Sequence, residues 1–543
     1  MKYLAIFALF ALGSADFQCP TSPITMAAGN TGVIPAGATS MISVANGTMC
    51  DFTFQIDAGF ALKLTTSADY EAHNGEDLQL GLEISIPPGT KDQVEYVVDS
   101  SLKVSIVTRT DNFKFIISYS YIDLSQVKQK ALPTGTNFNA QLDTNTYYTI
   151  MANDENHVAV NLGVRNTPMI VNELGSHQVF VFDGDNLKSG YLGRLVHQNG
   201  ANFQSSGQNL TFLNLYGAAS DTYIQTNDKE MILNTPYDIL VPSRGKVFSQ
   251  KLGSVTSTRK YTIICDGCTN FFITKLEGMT PDSIIQFAGM SPTNDKRILI
   301  TYHYNDTSTN MVLPQHFPAQ TVTMTVYNAT VTMEIQTDIE TVYQQVVPGR
   351  WGELYAPKMW DDNSDQSFDW TFTSGNNILN YEIVFYKIDI ASPNHVAVEI
   401  GQTGSTPVFD KIYTGIVTKE LNSGDGDHMI LKFQGADNDF VAARFHIREG
   451  TGQTSAPLTS TVTPKVVTTT TITKSVETTP TTVGVTTPTT MKDIPSTTTS
   501  PKFASTSTKL ASTVTSTTII STTTDGVAGV SVFLSFVLAI LLI

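Results

Sequence analysis

The composition of one tract near the C-terminus restricts the possible fold more than any other feature of the sequence. Residues 451–525 are almost entirely Thr, Ser, Pro and Val, as in the run Thr468-Thr-Thr-Thr471. Such a tract cannot bury enough apolar surface to offset the entropy lost on ordering, so we expect it to stay disordered and solvated. In an exported chain this composition is typical of an O-glycosylated, mucin-like stalk. The folded part of the chain must therefore lie before residue 451.

The N-terminus indicates export. An apolar run at residues 4–12 follows a basic residue, and Gly13-Ser-Ala15 supplies the small residues of a cleavage site. We predict a signal peptide at residues 1–15. As an uncleaved anchor the run is too short to span a bilayer comfortably.

The C-terminus carries a second apolar run, Val527–Ile543, with no basic residue after it. A spanning helix needs about 20 apolar residues and normally has basic cytoplasmic flanks. Small residues followed by a short hydrophobic tail instead predict a glycosylphosphatidylinositol signal over residues 526–543. We place the lipid attachment at Ser521, with Gly526 second, and keep direct anchoring by the tail as the alternative. The expected location is the outer leaflet of the plasma membrane.

Charge excludes one class of partner. The chain has a formal net charge of −16, and its stalk holds more lysines than carboxylates, so the acidity belongs to the folded part. Such a surface repels phosphate backbones. We therefore expect no nucleic-acid partner.

Four cysteines, Cys19, Cys50, Cys265 and Cys268, allow three pairings. We favour Cys19–Cys50, because each lies at the start of a predicted strand in the same small domain. Cys265-Asp-Gly-Cys268 separates two strand-like stretches, and Asp-Gly is a strong hairpin signal. We predict a second disulfide across a hairpin turn. A catalytic dithiol would need a strand-to-helix setting and a stabilised thiolate.

Four N-x-[ST] sequons predict N-glycosylation, at Asn46, Asn209, Asn305 and Asn328. Chance alone supplies some matches to so short a pattern. The predicted export gives these matches more weight.

The secondary structure is predicted to be nearly all strand. Residues 113–121, 297–303, 321–327 and 330–335 show period-two alternation or short apolar runs rich in Thr, aromatic and β-branched residues. Turn signals such as Pro87-Pro-Gly89 separate the strands. Many short strands at this spacing indicate β-sandwiches or barrels.

An internal repeat favours tandem sandwiches. His157-Val-Ala-Val-Asn-Leu-Gly163 returns as His395-Val-Ala-Val-Glu-Ile-Gly401, and Val181-Phe-Asp183 returns as Val408-Phe-Asp410 in the same order. We interpret His157 and His395 as equivalent positions with a structural role at a strand start. We divide the folded part into four domains, at residues 16–125, 126–230, 231–343 and 344–450.

Two stretches resemble CUB domains. Cys50-Asp-Phe-Thr-Phe-Gln-Ile-Asp-Ala-Gly-Phe-Ala-Leu-Lys-Leu64 resembles the strand with the second cysteine, the turn and the third strand of that family. Gln178-Val-Phe-Val-Phe-Asp-Gly184, Tyr191-Leu-Gly193 and Ser206-Gly-Gln-Asn-Leu-Thr-Phe212 resemble its aspartate-glycine turn, leucine-glycine pair and serine-rich turn. The layout as a whole is similar to the nematode secreted CUB-like proteins.

This resemblance implies an all-β chain of tandem, jelly-roll-like CUB-like sandwiches. For the nematode family it implies a role in responses to pathogens and stress. The chain departs from typical CUB domains in having fewer cysteines. His177 stands where calcium-binding CUB domains place an aspartate, so calcium binding does not carry over.

Catalytic and cofactor motifs are missing from the sequence. The nine histidines form no H-E-x-x-H motif, and no G-x-S-x-G elbow is present. The acidic run 361–365 resembles the start of a calcium loop, but the glycine and closing glutamate are absent, which favours a solvated turn. We predict no catalytic residue, metal ligand or cofactor.

The tryptophans are the best candidates for ligand contact. Phe368-Asp-Trp370-Thr-Phe372 alternates as a half-buried strand does, which favours a core position for Trp370. Trp351 and Trp360 lie in turn-like surroundings and are the better candidates for binding a sugar ring or a protein partner.

We therefore expect a lipid-anchored extracellular glycoprotein that binds protein or carbohydrate ligands in defence or stress responses. One alternative is a structural coat glycoprotein without a discrete ligand site. A secreted hydrolase is a further alternative, which convergent histidines and carboxylates in one pocket would favour.

Overall fold

The computed structural model describes residues 17–450 except 82–83, 154–155, 166–176, 196–202, 294–296, 308–310, 357–366 and 436–438. Short antiparallel strands make up most of this part, so the predicted all-β class is confirmed. The predicted signal peptide, stalk, lipid attachment at Ser521 or Gly526, and Trp360 lie outside the described residues. Among the residues described, no helix is long and apolar enough to cross a membrane.

Eight sheets pair face to face into four sandwiches in the described part of the chain. Sandwich 1 contains β1 (Thr31–Ile34), β2 (Ile42–Ser43), β3 (Met49–Gln55), β4 (Phe60–Asp69), β5 (Asp77–Leu80), β6 (Ile84–Ser85), β7 (Thr90–Val97), β8 (Ser101–Val107) and β9 (Lys114–Asp123). Sandwich 2 contains β10 (Lys128–Pro133), β11 (Asn137–Asn139), β12 (Thr146–Met151), β13 (Val158–Val164), β14 (Val179–Asp183), β15 (Gly190–Arg194), β16 (Phe203–Gln204), β17 (Asn209–Asn214) and β18 (Thr222–Asp228).

The remaining strands form two more sandwiches. Sandwich 3 contains β19 (Tyr237–Leu240), β20 (Phe248–Ser254), β21 (Arg259–Ile264), β22 (Phe271–Glu277), β23 (Ile284–Gly289), β24 (Ile298–His303), β25 (Gln315–Phe317), β26 (Thr321–Tyr327) and β27 (Ala329–Gln336). Sandwich 4 contains β28 (Trp351–Tyr355), β29 (Ser367–Thr373), β30 (Leu379–Ile390), β31 (His395–Gly401), β32 (Phe409–Tyr413), β33 (Gly415–Gly426), β34 (His428–Gln434) and β35 (Phe440–Glu449). Short helices lie at Met26–Ala28, Ala72–Asn74, Leu124–Gln126, Lys229–Met231, Tyr304–Thr307 (α1) and Glu340–Gln344 (α2).

One eight-strand topology recurs in all four sandwiches. We number the strands of each sandwich 1 to 8 in chain order, starting at β1, β11, β20 and β28 and leaving out the short β2. In every sandwich one sheet then has the strand order 1-8-3-6 and the other has the order 2-7-4-5. We call these the first and second sheets. Sandwiches 2 and 3 add an edge strand, β10 or β19, that runs parallel to strand 2. This is the jelly-roll arrangement of two interleaved four-stranded sheets.

The shared topology corrects the predicted repeat. β13, which contains most of the first repeat, is strand 3 of sandwich 2, whereas β31, which contains the second, is strand 4 of sandwich 4. His157 and His395 therefore do not occupy equivalent positions. Short β-branched sequences recur in many buried strands for the same packing reason, so these matches did not identify homologous strands.

Alternating burial builds each core from both sheets. Along β3 and β27 buried and less buried residues alternate, and β3 places Cys50, Phe52 and Phe54 inward. Each fully buried Phe contributes about 1.5–3 kcal/mol relative to an exposed one. The period-two pattern in the sequence is the direct cause of these two-layered cores.

The predicted Cys19–Cys50 disulfide is confirmed, with a Cα–Cα distance of 5.6 Å. Cys50 lies near the start of β3 as predicted, but Cys19 precedes the first strand. The bond attaches the N-terminal segment to the second sheet of sandwich 1, beside the bridge between Ile24 and Phe54.

Cys265 and Cys268 are bonded to each other, but the predicted hairpin is wrong. The flanking strands β21 and β22 belong to different sheets of sandwich 3. Gly267 supplies the positive φ of 73° in the turn between them. An Asp-Gly turn reverses the chain without deciding whether the next strand pairs with the last one or crosses to the facing sheet.

Neighbouring sandwiches share apolar clusters and are also joined by hydrogen bonds. Between sandwiches 1 and 2, the Tyr216 hydroxyl donates to Glu95 (2.7 Å) and accepts the Tyr96 backbone N–H (3.0 Å). Between sandwiches 2 and 3, Tyr223 donates to Asp266 (2.5 Å) beside a buried cluster that includes Ile239.

We expect Gly163→Ala to weaken the packing between sandwiches 2 and 3. A Cβ there would lie 2.5 Å from Ile239 Cγ2 and 2.9 Å from Val241 Cγ2. Overpacking of this kind costs about 1–3 kcal/mol of unfolding free energy. Gly207→Ala is the control, because nothing lies within 4 Å of its Cβ position. Chemical unfolding measures both, and equal stability of the two variants would contradict the tight contact.

Candidate binding cavity

The junction of sandwiches 3 and 4 is built around buried polar groups. Gln315 on the edge strand β25 is fully buried, and its Nε2 donates to the backbone oxygen of Glu353 (2.8 Å). Its Oε1 accepts the Glu353 N–H (3.0 Å). The Gln315 side-chain amide thus pairs with both backbone hydrogen-bonding groups of Glu353 in β28. This pairing fixes the position of β25 at the junction.

A cavity of about 250 Å³ opens at this junction. We call it the junction cavity. The lining residues with polar or aromatic side chains include Asn270, His316, Glu340, Phe368, Asp369 and Trp370. They come from both sandwiches and from α2, so no single domain contains the site. The volume lies below the roughly 300–1,000 Å³ of drug-sized ligand pockets and suits a smaller group.

His316 is the most constrained group of the cavity. Its ring lies 4.9 Å from the Phe272 ring and 5.0 Å from the Trp370 ring between centroids. The side chain is only 6% exposed, and Nε2 is buried without a hydrogen-bond partner among the described residues. Burial lowers the pKa of His316 from 6.5 to about 3. The imidazole is therefore neutral at physiological pH and can form hydrogen bonds but contributes no charge.

Two carboxylates give the cavity its polarity. Asp369 is exposed and lies 3.3 Å from Lys432 Nζ. Glu340, at the start of α2, is half-buried. Within the described part of the chain no basic group pairs with the Glu340 carboxylate. A ligand group that donates hydrogen bonds would stabilise this carboxylate.

Trp370 is a core residue, as its alternating pattern indicates. It is 7% exposed and belongs to the core of sandwich 4. Its indole nevertheless forms part of the cavity wall, beside the half-buried Phe368. The cavity therefore has one aromatic wall whose position is fixed by the core behind it.

Trp351 lies in a strand rather than in the turn-like surroundings expected from the sequence. It is the first residue of β28 and is half-buried against the core of sandwich 3. The Arg444 guanidinium lies 4.8 Å from its ring centroid, and the His446 ring stacks at 6.2 Å. These contacts leave only part of the indole free for a ligand, and its role in binding stays a prediction.

Arg444 also neutralises a buried carboxylate. Its Nε donates to Glu353 Oε1 (2.7 Å), and Glu353 is 2% exposed. Burial raises the pKa of Glu353 even though Arg444 opposes the shift. This pair holds β28 and β35 together and is a structural element of the junction.

The histidines considered for catalysis are not brought together. His157 lies near Glu230 in sandwich 2, with 3.4 Å between Nδ1 and Oε1. His428 contacts Asp427 (2.6 Å) and Glu399 (3.4 Å), while His395 lies at the opposite end of the same strand pair. Among the described residues no group of three or more His, Cys, Asp or Glu could hold a metal ion.

Three of the four sequon asparagines are exposed. Asn46, Asn305 and Asn328 are exposed, and Asn209 is half-buried at the start of β17. Glycosylation at the four sites stays a prediction.

Sequence reasoning did not find His316 or Glu340. His316 belongs to an ordinary buried strand pattern, and Glu340 is one of 49 acidic residues. The only local signal is a histidine on the short strand β25, where an apolar residue is expected. Their convergence depends on how two sandwiches meet.

Comparison with known proteins identifies a CUB-like domain at residues 14–125. No curated protein matches the chain. The CUB1-EGF-CUB2 domains of rat MASP-1 are 8% identical, with a TM-score of 0.16, and cover 38% of this chain and 99% of that one. The full extracellular region of zebrafish Gpr126/Adgrg6 is 10% identical, with a TM-score of 0.17, and covers 60% of this chain and 54% of that one.

We expect His316 to make the junction less stable in acid. The unfolded chain binds a proton near pH 6.5 and the folded chain only near pH 3. Between these values the unfolded state holds more protons, so stability falls as pH falls, by up to about 1.4 kcal/mol per pH unit. His316→Gln should remove this slope, as measured by hydrogen exchange of β25 between about pH 7 and pH 5. His73→Gln is the control, because that side chain is 78% exposed. Equal slopes in His316→Gln and the unmodified protein would contradict the assignment.

Proposed function

We propose that this protein is a lipid-anchored extracellular recognition protein that binds a glycan through the junction cavity. The observation that carries the proposal is the junction cavity itself, whose wall joins His316 to Glu340. Among the described residues, Nε2 of His316 has no hydrogen-bond partner and no basic group pairs with the Glu340 carboxylate. A sugar ring offers hydroxyl groups to both and an apolar face to aromatic side chains.

The composition of the cavity supports a glycan over an apolar ligand. Asn270, Glu340 and Asp369 supply amide and carboxylate groups, while Phe368 and Trp370 supply apolar surface. Removing one hydrogen-bonding hydroxyl from the ligand would leave a buried polar group unpaired, which costs about 1–3 kcal/mol. Such a site discriminates between sugars by the positions of their hydroxyl groups.

Location and biological role are part of the same proposal. A CUB-like domain is an extracellular module, which agrees with the export signal expected from the sequence. The lipid anchor, the predicted stalk and the resemblance to nematode secreted CUB-like proteins favour a role in defence or stress responses at an exposed surface. Clustering in the membrane would make weak single-site binding multivalent.

A structural coat remains the alternative function. It is favoured by the exposed sequon residues Asn46, Asn305 and Asn328 and by the predicted stalk. A coat would tolerate loss of the cavity and alanine at Trp351 and Trp360.

We do not propose hydrolysis, because His157, His395 and His428 do not converge on one pocket. The junction cavity does join one histidine, His316, to the carboxylates of Glu340 and Asp369. Burial lowers the pKa of His316 to about 3, however, which makes its imidazole too weak a base for proton transfer at physiological pH.

We expect Glu340→Gln to weaken glycan binding by about tenfold, the loss of one charge-assisted hydrogen bond of about 1.5 kcal/mol. The measurement uses cells that display the full chain and a panel of fluorescent glycans. Glu277→Gln is the control, because that carboxylate is 61% exposed and outside the cavity. Identical binding by Glu340→Gln and the unmodified chain, or no binding to any glycan, would favour the coat.

Phosphatidylinositol-specific phospholipase C should release the protein from these cells. The enzyme cleaves the lipid anchor but leaves spanning helices in place. A chain whose residues 526–543 are replaced by an ordinary spanning helix with basic flanks is the control. Retention of the unmodified chain after treatment would show that the apolar tail itself anchors the protein.

A further inference from the structure

The outward side of the first sheet is covered in three of the four sandwiches. In sandwich 1, Ala61 on strand 3 is buried in a cluster with Phe180 of sandwich 2. In sandwich 2, Ala159 on strand 3 is buried with Ile239 of sandwich 3. In sandwich 3, Phe272 on strand 3 is buried in the core of sandwich 4. Each time, strand 3 contacts the sandwich that follows in the chain.

Sandwich 4 has the same sheet, but no other described part of the chain covers its strands 3 and 6. On β30 and β33 the apolar side chains exposed or half-buried on the outward side are Val384, Tyr386, Ile416 and Leu421, which we call the open face. Polar residues such as Glu382, Lys387 and Thr418 lie among them. Tyr386, Ile416 and Leu421 are 42%, 72% and 59% exposed, and Val384 is half-buried.

The open face continues an interface that already exists. Across the sheet, Glu353, Arg444, Val384 and Leu421 lie in one row. The first two lie at the junction with sandwich 3, where Tyr355 and Ala442 join the core of that sandwich. The same sheet is therefore covered on strands 1 and 8 and open on strands 3 and 6.

Charges on this face are paired, although the chain as a whole has a net charge of −16. Arg448 pairs with Glu382 (3.1 Å), and Lys387 pairs with Asp389 (2.9 Å). Like charges therefore do not accumulate where two identical surfaces would meet. A two-fold contact brings one surface against an identical one, so a charge-balanced face is not repelled by its copy.

The strand edge beside this face is unsuited to pairing. β33 is the edge strand of its sheet, and Lys419 adopts a left-handed φ of 53° where its register with β30 is interrupted. A left-handed backbone residue and a lysine at an edge oppose edge-to-edge addition of another strand. Contact through the open face must be between side chains, sheet against sheet.

We propose that the open face is a homodimer interface, at which sandwich 4 of one copy packs against sandwich 4 of a second copy across a two-fold axis. A second copy fits best because the equivalent sheet of each other sandwich packs against a sandwich of the same chain. The open face also continues such an interface, and its paired charges leave no excess of one sign. Tyr386, Ile416 and Leu421 form the apolar centre of the contact.

The proposed anchoring would strengthen this pairing. Sandwich 4 directly precedes the predicted stalk at residues 451–525, so both copies would be attached to one membrane. Confinement raises the effective concentration of each copy for the other. This strengthening by the membrane rests on the proposed function, whereas dimer formation by the purified chain in solution does not.

The test is the protein mass of the purified full chain in detergent, measured by light scattering with absorbance and refractive-index detection. The unmodified chain should be dimeric. Ile416→Asp and Leu421→Asp should each weaken the dimer at least tenfold, since each places a charge in the apolar centre. Val255→Asp is the matched control, because that side chain is 62% exposed in sandwich 3. It should stay dimeric.

Each outcome decides the proposal. The two open-face residues are exposed, so their variants should keep the circular dichroism spectrum of the unmodified chain and a cooperative thermal transition, which excludes misfolding as the cause of dissociation. The midpoint itself should fall only by the amount that loss of the dimer accounts for. A monomeric unmodified chain, or a dimer that survives both substitutions, would overturn the interface. Glu340→Gln should remain dimeric, so a failure of glycan recognition and a failure of pairing are distinguishable.

Discussion

The structure depends on covering the outward side of strand 3 in the first sheets of sandwiches 1, 2 and 3. Ala61, Ala159 and Phe272 are apolar on a side that would otherwise face water, and each is buried by the next sandwich. A sheet apolar on both faces must be covered on both faces. The four sandwiches therefore share apolar clusters at their junctions. Burial of apolar side chains stabilises these junctions, as it stabilises the core of each sandwich.

This constraint also explains where the polar chemistry is found. At the third junction, burial from two sides removes water from Gln315, His316 and Glu353. Gln315 and one oxygen of Glu353 form hydrogen bonds, whereas Nε2 of His316 has no partner among the described residues. Buried polar groups are costly unless they are hydrogen-bonded, and this cost is the physical basis of our proposal that a ligand binds in the junction cavity.

Several properties were predictable because they depend on local pattern. Period-two alternation, as in β27, led to the all-β class, and the CUB-like resemblance near Cys50 agrees with the domain identified at residues 14–125. The hairpin at Cys265–Cys268 and the equivalence of His157 with His395 were wrong. Both depend on which sheet a strand joins, and short strands with similar β-branched sequences carry little information about that choice.

By itself the sequence determined the strand content, the Cys19–Cys50 pair and the division between a foldable part and a Thr-rich tract, because these depend on composition and on neighbours along the chain. Only the tertiary structure decided that all four sandwiches share one topology, that His316 meets Glu340, and that Tyr386, Ile416 and Leu421 lie uncovered together. These are relations between strands far apart in sequence, and they arise from how the faces of folded sheets are buried against one another.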